Sequence, residues 1–231
     1  MQQPQMTRVS LSKSQPKDDE PLVVIVDDDA SIREALHELI LSAGMKAVSF
    51  ASSRDLLGST VLDGPGCLIL DVRMPGASGL DVQRQLAANG NPMPIIFLTG
   101  HGDIPMTVQA MKSGAVDFLT KPVRDQTLLD AVIAAIEQDV ARRARACVLK
   151  RTLERWETLT PREREVLAEV ARGRLNKQIA FDLCISVVTV KLHRSNVMRK
   201  MQVNSIGELI RTWEALPAEK RQHPRSRNDV H

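Results

Sequence analysis

Stretches rich in β-branched and aliphatic residues occupy positions 22–26, 46–50, 67–70, 94–98 and 116–119, without strict alternation of apolar and polar residues. Such runs predict strands buried on both faces, the condition of a parallel sheet covered by helices. The intervals between them carry apolar residues at three- and four-residue spacing, so five strand-helix units fit residues 22 to 140. The last helix does not stop there. Leu129, Ile133, Ile136, Val140, Ala144 and Cys147 continue the spacing, with no Pro or Gly before Pro161. One helix is predicted from about Asp125 to about Arg155, roughly 45 Å long at about 1.5 Å per residue.

Beyond it the pattern is all helical. Thr160, Pro161 and Glu163 spell a capping box with proline in the first position, and Gly173 closes that helix. Shorter segments follow over 176–183, from near Ser186 to Met201, and over about 205–216. Two short helices, a tight turn and a longer helix suit a helix-turn-helix. Residues 1–20 and 217–231 are rich in Gln, Ser, Lys, Arg and Pro, and both ends are expected to be disordered.

Charge sharpens this division. Residues 22–140 carry 15 Asp/Glu against 8 Lys/Arg, a net of −7, whereas residues 141–231 carry 10 against 20, a net of +10. A basic half of this kind suits a polyanion such as nucleic acid. The arginines at 142, 143 and 145 read instead as a solvated helix face. No apolar run is long enough to cross a bilayer and no signal segment opens the sequence, so a cytoplasmic protein without membrane contact is expected. Cys67, Cys147 and Cys184 lack the spacing of a zinc site or disulfide framework; they are expected to be reduced, two of them buried.

The chemistry sits at strand ends. Asp27 and Asp28 follow the first strand, Asp71 ends the third, Thr99 ends the fourth and Lys121 follows the fifth. In a doubly wound sheet the carboxyl ends of the strands form one crevice at the switch point, so these groups should converge. Crowded carboxylates repel one another, and a hard cation such as Mg²⁺ relieves that repulsion. A carboxylate is also a nucleophile toward an activated phosphoryl group, with metal and ammonium neutralising the transferring oxygens. Gly76, Gly79, Gly100 and Gly102 read as loop glycines, and no Walker A pattern occurs.

The segments VVIVDDD, LILDVRMPG and FLTGHGDIPMTVQAMKSGAVDFLTKP resemble the FixJ-type two-component response regulators, and LTPREREVLAEVARGRLNKQIAFDLCISVVTVKLHRSNVMRKM resembles their LuxR-type output module. The likeness spans about residues 22–215. It implies a flavodoxin-like receiver over 21–138, a linker helix over 139–155 and a helix-turn-helix DNA-binding domain over 156–216. It further implies that Asp71 accepts a phosphoryl group from a sensor histidine kinase. Mg²⁺ would be held by Asp28, Asp71 and the backbone carbonyl of Arg73, with Asp27 acting through water. Thr99, Lys121 and Phe118 would bind and report the phosphoryl group, and the Lys121–Pro122 bond would be cis. Val108 and Lys112 would lie on the face through which phosphorylated receivers pair. The implied product is a promoter-binding activator that works with RNA polymerase and is not a turnover enzyme.

The third helix of the basic half can also be read physically. At 100° per residue Val190, Val197 and Met201 share one face, with His193 near its edge as a satisfied, partly buried histidine. Val188, Leu192, Ser195 and Arg199 point opposite, and Lys191 lies on the flank. Exposed Val and Leu on a basic helix suit a major groove, where they can meet thymine methyls. The resemblance makes Lys191, Leu192 and Ser195 base readers and Lys177, Thr189 and Arg199 phosphate contacts; Arg194 is left to the packed side. Ile206, Leu209, Ile210 and Trp213 share a face that is either core or a dimer seam. One rival is a phosphohydrolase of the haloacid-dehalogenase type, for which Asp27 and Asp29 give the required DxD spacing. It leaves Asp71 and the helix-turn-helix unexplained. A regulator that ignores phosphorylation is the other, and the set Asp28, Asp71, Thr99 and Lys121 argues against it.

Overall fold

The computed structural model describes residues 20–100 and 104–221. The disorder expected for 1–19 and 222–231, and the loop position expected for Gly102, lie outside the described residues. The chain divides into two compact units, one through Arg143 and one from Ala144 onward.

In the first unit, β1 (Leu22–Val26), β2 (Lys46–Phe50), β3 (Gly66–Asp71), β4 (Ile95–Thr99) and β5 (Asp117–Thr120) form a single sheet. Every pairing is parallel and the order is β2-β1-β3-β4-β5, the flavodoxin-like arrangement. The lack of alternation in the strands has its cause here. Val24, Val26, Leu68, Leu70 and Phe97 pack into the core on one face of the sheet, and Val23, Ile25, Ile69, Ile96 and Leu98 into that on the other. The third strand is one residue longer at each end than expected, and the fourth and fifth are displaced by one. Helices α1 (Ala30–Ser42), α2 (Ser53–Leu57), α3 (Gly79–Ala88) and α4 (Ile104–Lys112) and the first turns of α5 (Asp125–Glu157) cover the faces.

The second unit holds α6 (Pro161–Ala171), α7 (Asn176–Asp182), α8 (Val187–Met201), α9 (Ile206–Glu214) and a short α10 (Ala218–Arg221). Residues 218–221, expected to be disordered, are helical. Thr160 caps α6 and Glu163 completes the box, as the sequence predicts. Val166, Leu167, Ile179, Val190, Val197, Met201 and Leu209 make the core, which also takes Trp156 from α5. Trp156 meets Trp213 with ring centroids 5.5 Å apart, so the face of α9 that the sequence left open contributes core at Leu209 and Trp213, whereas Ile206 is exposed. Only Cys67 of the three cysteines is buried; Cys147 and Cys184 are exposed. Cys184 sits in the turn between α7 and α8 at φ 51°, in the left-handed region.

Among the described residues, no helix is long and apolar enough to cross a membrane.

Candidate functional site

Strand register assembles the crevice. Val26 pairs with Leu70, so the residues that follow, Asp27 and Asp71, stand side by side at the switch point. Asp71 pairs with Leu98 and Thr99 with Thr120, which steps Thr99 and Lys121 along the same edge. Ligand oxygens of Asp27, Asp28 and Asp71 lie within 4.8 Å of one another. Lys121 Nζ donates to Asp27 Oδ2 at 2.6 Å and Asp71 Oδ2 at 3.0 Å. Asp27 and Asp71 are buried and Asp28 is exposed, so the cluster opens to solvent on the Asp28 side. Three hard oxygen donors, one of them accessible, fit a small divalent cation.

Electrostatics tightens the arrangement. Burial pushes the Asp27 carboxyl above its ordinary value, against the pull of Lys121 and of the Asp29 amide. Burial opposes the charge on Lys121 too, but the two carboxylates outweigh it and hold the ammonium more firmly protonated than usual. Thr99 is fully buried, and its carbonyl accepts the Lys121 amide at 2.8 Å. The Lys121–Pro122 bond is cis. Phe118 is half-buried, with its ring 6.0 Å from that of Phe97. Arg73 donates its amide to Asp71 Oδ1 at 3.2 Å. Asp29 does not join the cluster, because its carboxylate caps α1 through the amides of Ser31 and Ile32; a DxD pair of catalytic acids is thereby lost.

The helix-turn-helix face follows from burial. Val190, Val197 and Met201 are buried, whereas Val188 is 76% and Leu192 60% exposed. Lys177, Lys191, Ser195 and Arg199 are exposed and Thr189 is half-buried. Ser186 caps α8 by accepting the Thr189 amide. Two other basic side chains of α8 are engaged inward: Arg194 donates to Asn176 Oδ1, and Lys200 donates to Glu163 Oε2 at 2.6 Å and to the Thr158 carbonyl at 3.1 Å. His193 is half-buried, but its Nδ1 is shielded and lacks a partner among the described residues, so it is not the satisfied histidine expected.

Residues 23–133 match the response regulator receiver domain, and residues 157–213 match the luxR family of bacterial regulatory proteins. The chain is a response regulator. It is 52% identical to nodulation protein W of Bradyrhizobium diazoefficiens over 195 residues, 84% of this chain and 86% of that one. It is 40% identical to the transcriptional regulatory protein FixJ of the same species over 189 residues, 82% of this chain and 92% of that one. The solved structure of the response regulator StyR superposes with TM-score 0.77 at 45% identity, covering 84% of this chain and 98% of that one. A receiver with a LuxR-type DNA-binding domain makes the chain a transcription regulator, and the phosphohydrolase rival falls.

Several residues that shape this response regulator's receiver escaped the sequence reading. Gly79 is not a loop glycine but the first residue of α3, and a Cβ there would stand 2.4 Å from the Asp71 carbonyl oxygen; glycine lets the helix back directly onto the acidic strand end. Arg33 Nη1 donates to the Asp27 carbonyl at 2.8 Å, fixing the peptide that carries the acidic pair. The six-residue separation of Arg33 from Asp27 matches no regular facing pair and so gave no signal. Arg142 and Arg143 are not merely solvated, since both donate to Asp139, which is fully buried.

Lys200 and Glu163 give the LuxR-type domain an acid-sensitive clamp. Burial opposes the Glu163 charge, but the bonds from Lys200 and the Thr160 amide outweigh it and hold the carboxyl below its ordinary 4.5. A depressed folded value means stability that is full above about 4.5 and drains as pH falls through the folded value. The second unit should therefore melt at progressively lower temperature below that pH. Glu163→Gln should flatten this dependence and cost about 1.5–3 kcal/mol at neutral pH. Calorimetry across pH 3 to 7 checks both.

Proposed function

We propose that Asp71 accepts a phosphoryl group from a sensor histidine kinase and that this controls promoter binding by the LuxR-type domain. The observation that carries the reading is Lys121 Nζ within hydrogen-bond distance of both Asp27 and Asp71, beside a third carboxylate. Asp71 is the nucleophile because it ends a fully buried strand and keeps one oxygen on Lys121 and the other on the Arg73 amide, a fixed orientation at the crevice mouth. Asp28, Asp71 and the Arg73 carbonyl would hold Mg²⁺, with Asp27 acting through water. The ion, when bound, offsets negative charge on the oxygens around the transferred group. Lys121 supplies the remaining positive charge, and Thr99 and Phe118 register the change. A groove of about 860 Å³ between α1 and α5, lined by Ile32, Leu36, Leu39, Pro122 and Val123, opens beside Lys121 and offers the kinase an apolar surface. This chemistry belongs in the cytoplasm.

Phosphate acts by shifting a conformational equilibrium through contacts that differ between states. Ile104, Val108 and Met111 form an exposed apolar stripe on α4, with Lys112 beside it, and this is the face on which two phosphorylated receivers pair. Pairing makes the second DNA contact intramolecular, and a promoter-bound dimer then recruits RNA polymerase as an activator. Sedimentation of phosphorylated protein should show a dimer. Affinity for two half-sites should rise by about 5- to 150-fold over unphosphorylated protein, with little change for one half-site. A phosphorylated monomer that gains on a single half-site would point instead to release of an inhibited DNA-binding domain.

Within that domain Lys191, Leu192 and Ser195 read base edges, Val188 meets the groove, and Lys177, Thr189 and Arg199 touch phosphates. Lys191→Ala should cost about 1–3 kcal/mol and relax preference at one base position, while Lys177→Ala weakens all sequences alike. Binding across an operator library separates the two; an unchanged preference profile for Lys191→Ala removes it from the readers.

A further inference from the structure

At the opposite end of β3 from Asp71 lies a second polar cluster, which the phosphoryl chemistry does not use. Asp139 of α5 is fully buried. Its Oδ2 accepts the amide of Gly66, the first residue of β3, at 3.1 Å and Arg143 Nε at 2.7 Å, while Oδ1 accepts from Arg142. Arg143 also donates to the carbonyls of Asp63, at 2.9 Å, and Gly64. Three donors hold the carboxyl below its ordinary value although burial opposes the charge. Gly66 lies hard against the neighbouring strand, since a Cβ there would stand 1.9 Å from the Leu22 carbonyl oxygen.

The cluster occurs where α5 leaves the first unit, whose last residue is Arg143. On its other flank, Arg142 lines a cavity of about 200 Å³ shared with Gln83 and Ser113. Gln83 is buried, and its Nε2 donates to the carbonyls of Ala110 and Ser113 at 3.2 Å each, tying the C-terminal end of α4 to α3. One buried carboxylate therefore joins the strand that bears Asp71, the stretch of α5 at the limit of the first unit, and, through Arg142, the cavity at the end of α4. Packed networks with discrete arrangements carry coupling between sites, and this one is continuous from strand to helix.

We propose that Asp139 is the anchor through which the state of the receiver sets α5, a positioning residue for regulated DNA binding and not for phosphoryl acceptance. The inference rests on acceptance at Asp71. An isolated buried carboxylate would serve stability alone; this one takes every donor from β3, the strand that ends in Asp71, and from α5, the helix that leaves the receiver.

Asp139→Asn keeps the shape but sets an amide against the arginines. Arg143→Met cuts the partly exposed side of the cluster and guards against a variant that fails to fold. Full-length protein is treated with acetyl phosphate and Mg²⁺, and both the rate of label uptake and the phosphorylation-dependent gain in affinity for a two-half-site operator are measured. In wild type the gain should lie in the range of about 5- to 150-fold. In both variants label uptake should stay within about two-fold of wild type, while the gain falls below about three-fold. Label and gain both as in wild type for Arg143→Met and Asp139→Asn would overturn the anchor and leave acceptance at Asp71 standing. Absence of label in wild type would remove the reading beneath it. Equal loss of label and gain in folded variants would also overturn the proposal, because Asp139 would then act on the crevice itself.

Discussion

Asp71→Asn should abolish labelling by acetyl phosphate, whereas Asp27→Asn should slow it and leave the label on Asp71. The first loss is complete in kind, because an amide oxygen is a far weaker nucleophile than a carboxylate and no other group holds the same position. Asp71 alone of the three acids ends a strand buried along its whole length, and its carboxylate is oriented by the Arg73 amide and Lys121. Asp27 accepts the Asp29 amide through Oδ1 and Lys121 through Oδ2, so removing its charge loosens Lys121 and the cation site together, at a cost of roughly 10²–10⁴ in rate. Intact-mass spectrometry of folded protein reads the first effect and its time course the second. If Asp71→Asn labels as wild type does and Asp27→Asn does not, the nucleophile has been placed on the wrong strand.

The second large effect is on folding. Gly66→Ala should destabilise the receiver by about 3–5 kcal/mol, near the upper end for a point substitution, because the added methyl carbon would stand 1.9 Å from the Leu22 carbonyl oxygen at φ 151°. The neighbour is backbone in the middle of the sheet, paired on both sides, and cannot rotate away. Gly64→Ala, a few residues earlier and with nothing within 4 Å of the added carbon, should change stability by less than about 1 kcal/mol. Urea unfolding of the two variants, followed by far-ultraviolet circular dichroism, tests the contrast; equal midpoints would mean the strand start yields more readily than its geometry allows.

The sheet was legible because its strands are apolar on both faces, a pattern that only a covered parallel sheet requires, and because each acidic or hydroxylic residue of the crevice falls at the end of such a run. Helix α8 was legible because Val190, Val197 and Met201 repeat on one face while Val188 and Leu192 break the rule that apolar residues hide. What stayed hidden depends on distance along the chain. Nothing near Arg142 and Arg143 tells that Asp139 is buried, since its third donor, Gly66, lies 73 residues away. Gly79 reads as a turn residue because a close approach to backbone leaves no trace in composition. Asp29 mimics a catalytic acid in sequence and proves to be a helix cap. Of the two cysteines expected to be buried only Cys67 is, because the apolar character of a thiol does not tell which side of the surface it takes.

The span of α5 past the receiver has a practical consequence for exchanging output modules between regulators. Trp156 and Thr152 are buried within the second unit, and Arg155 donates to the Met201 carbonyl at the end of α8. A splice at residue 156 would strip the recipient of those contacts, and one before Arg143 would cut the cluster around Asp139. Residues 144–148 are exposed without interruption. A junction placed there, with helical phase preserved, leaves both hydrophobic cores whole, so chimeric regulators joined in that window should express as folded proteins where those joined a turn to either side do not.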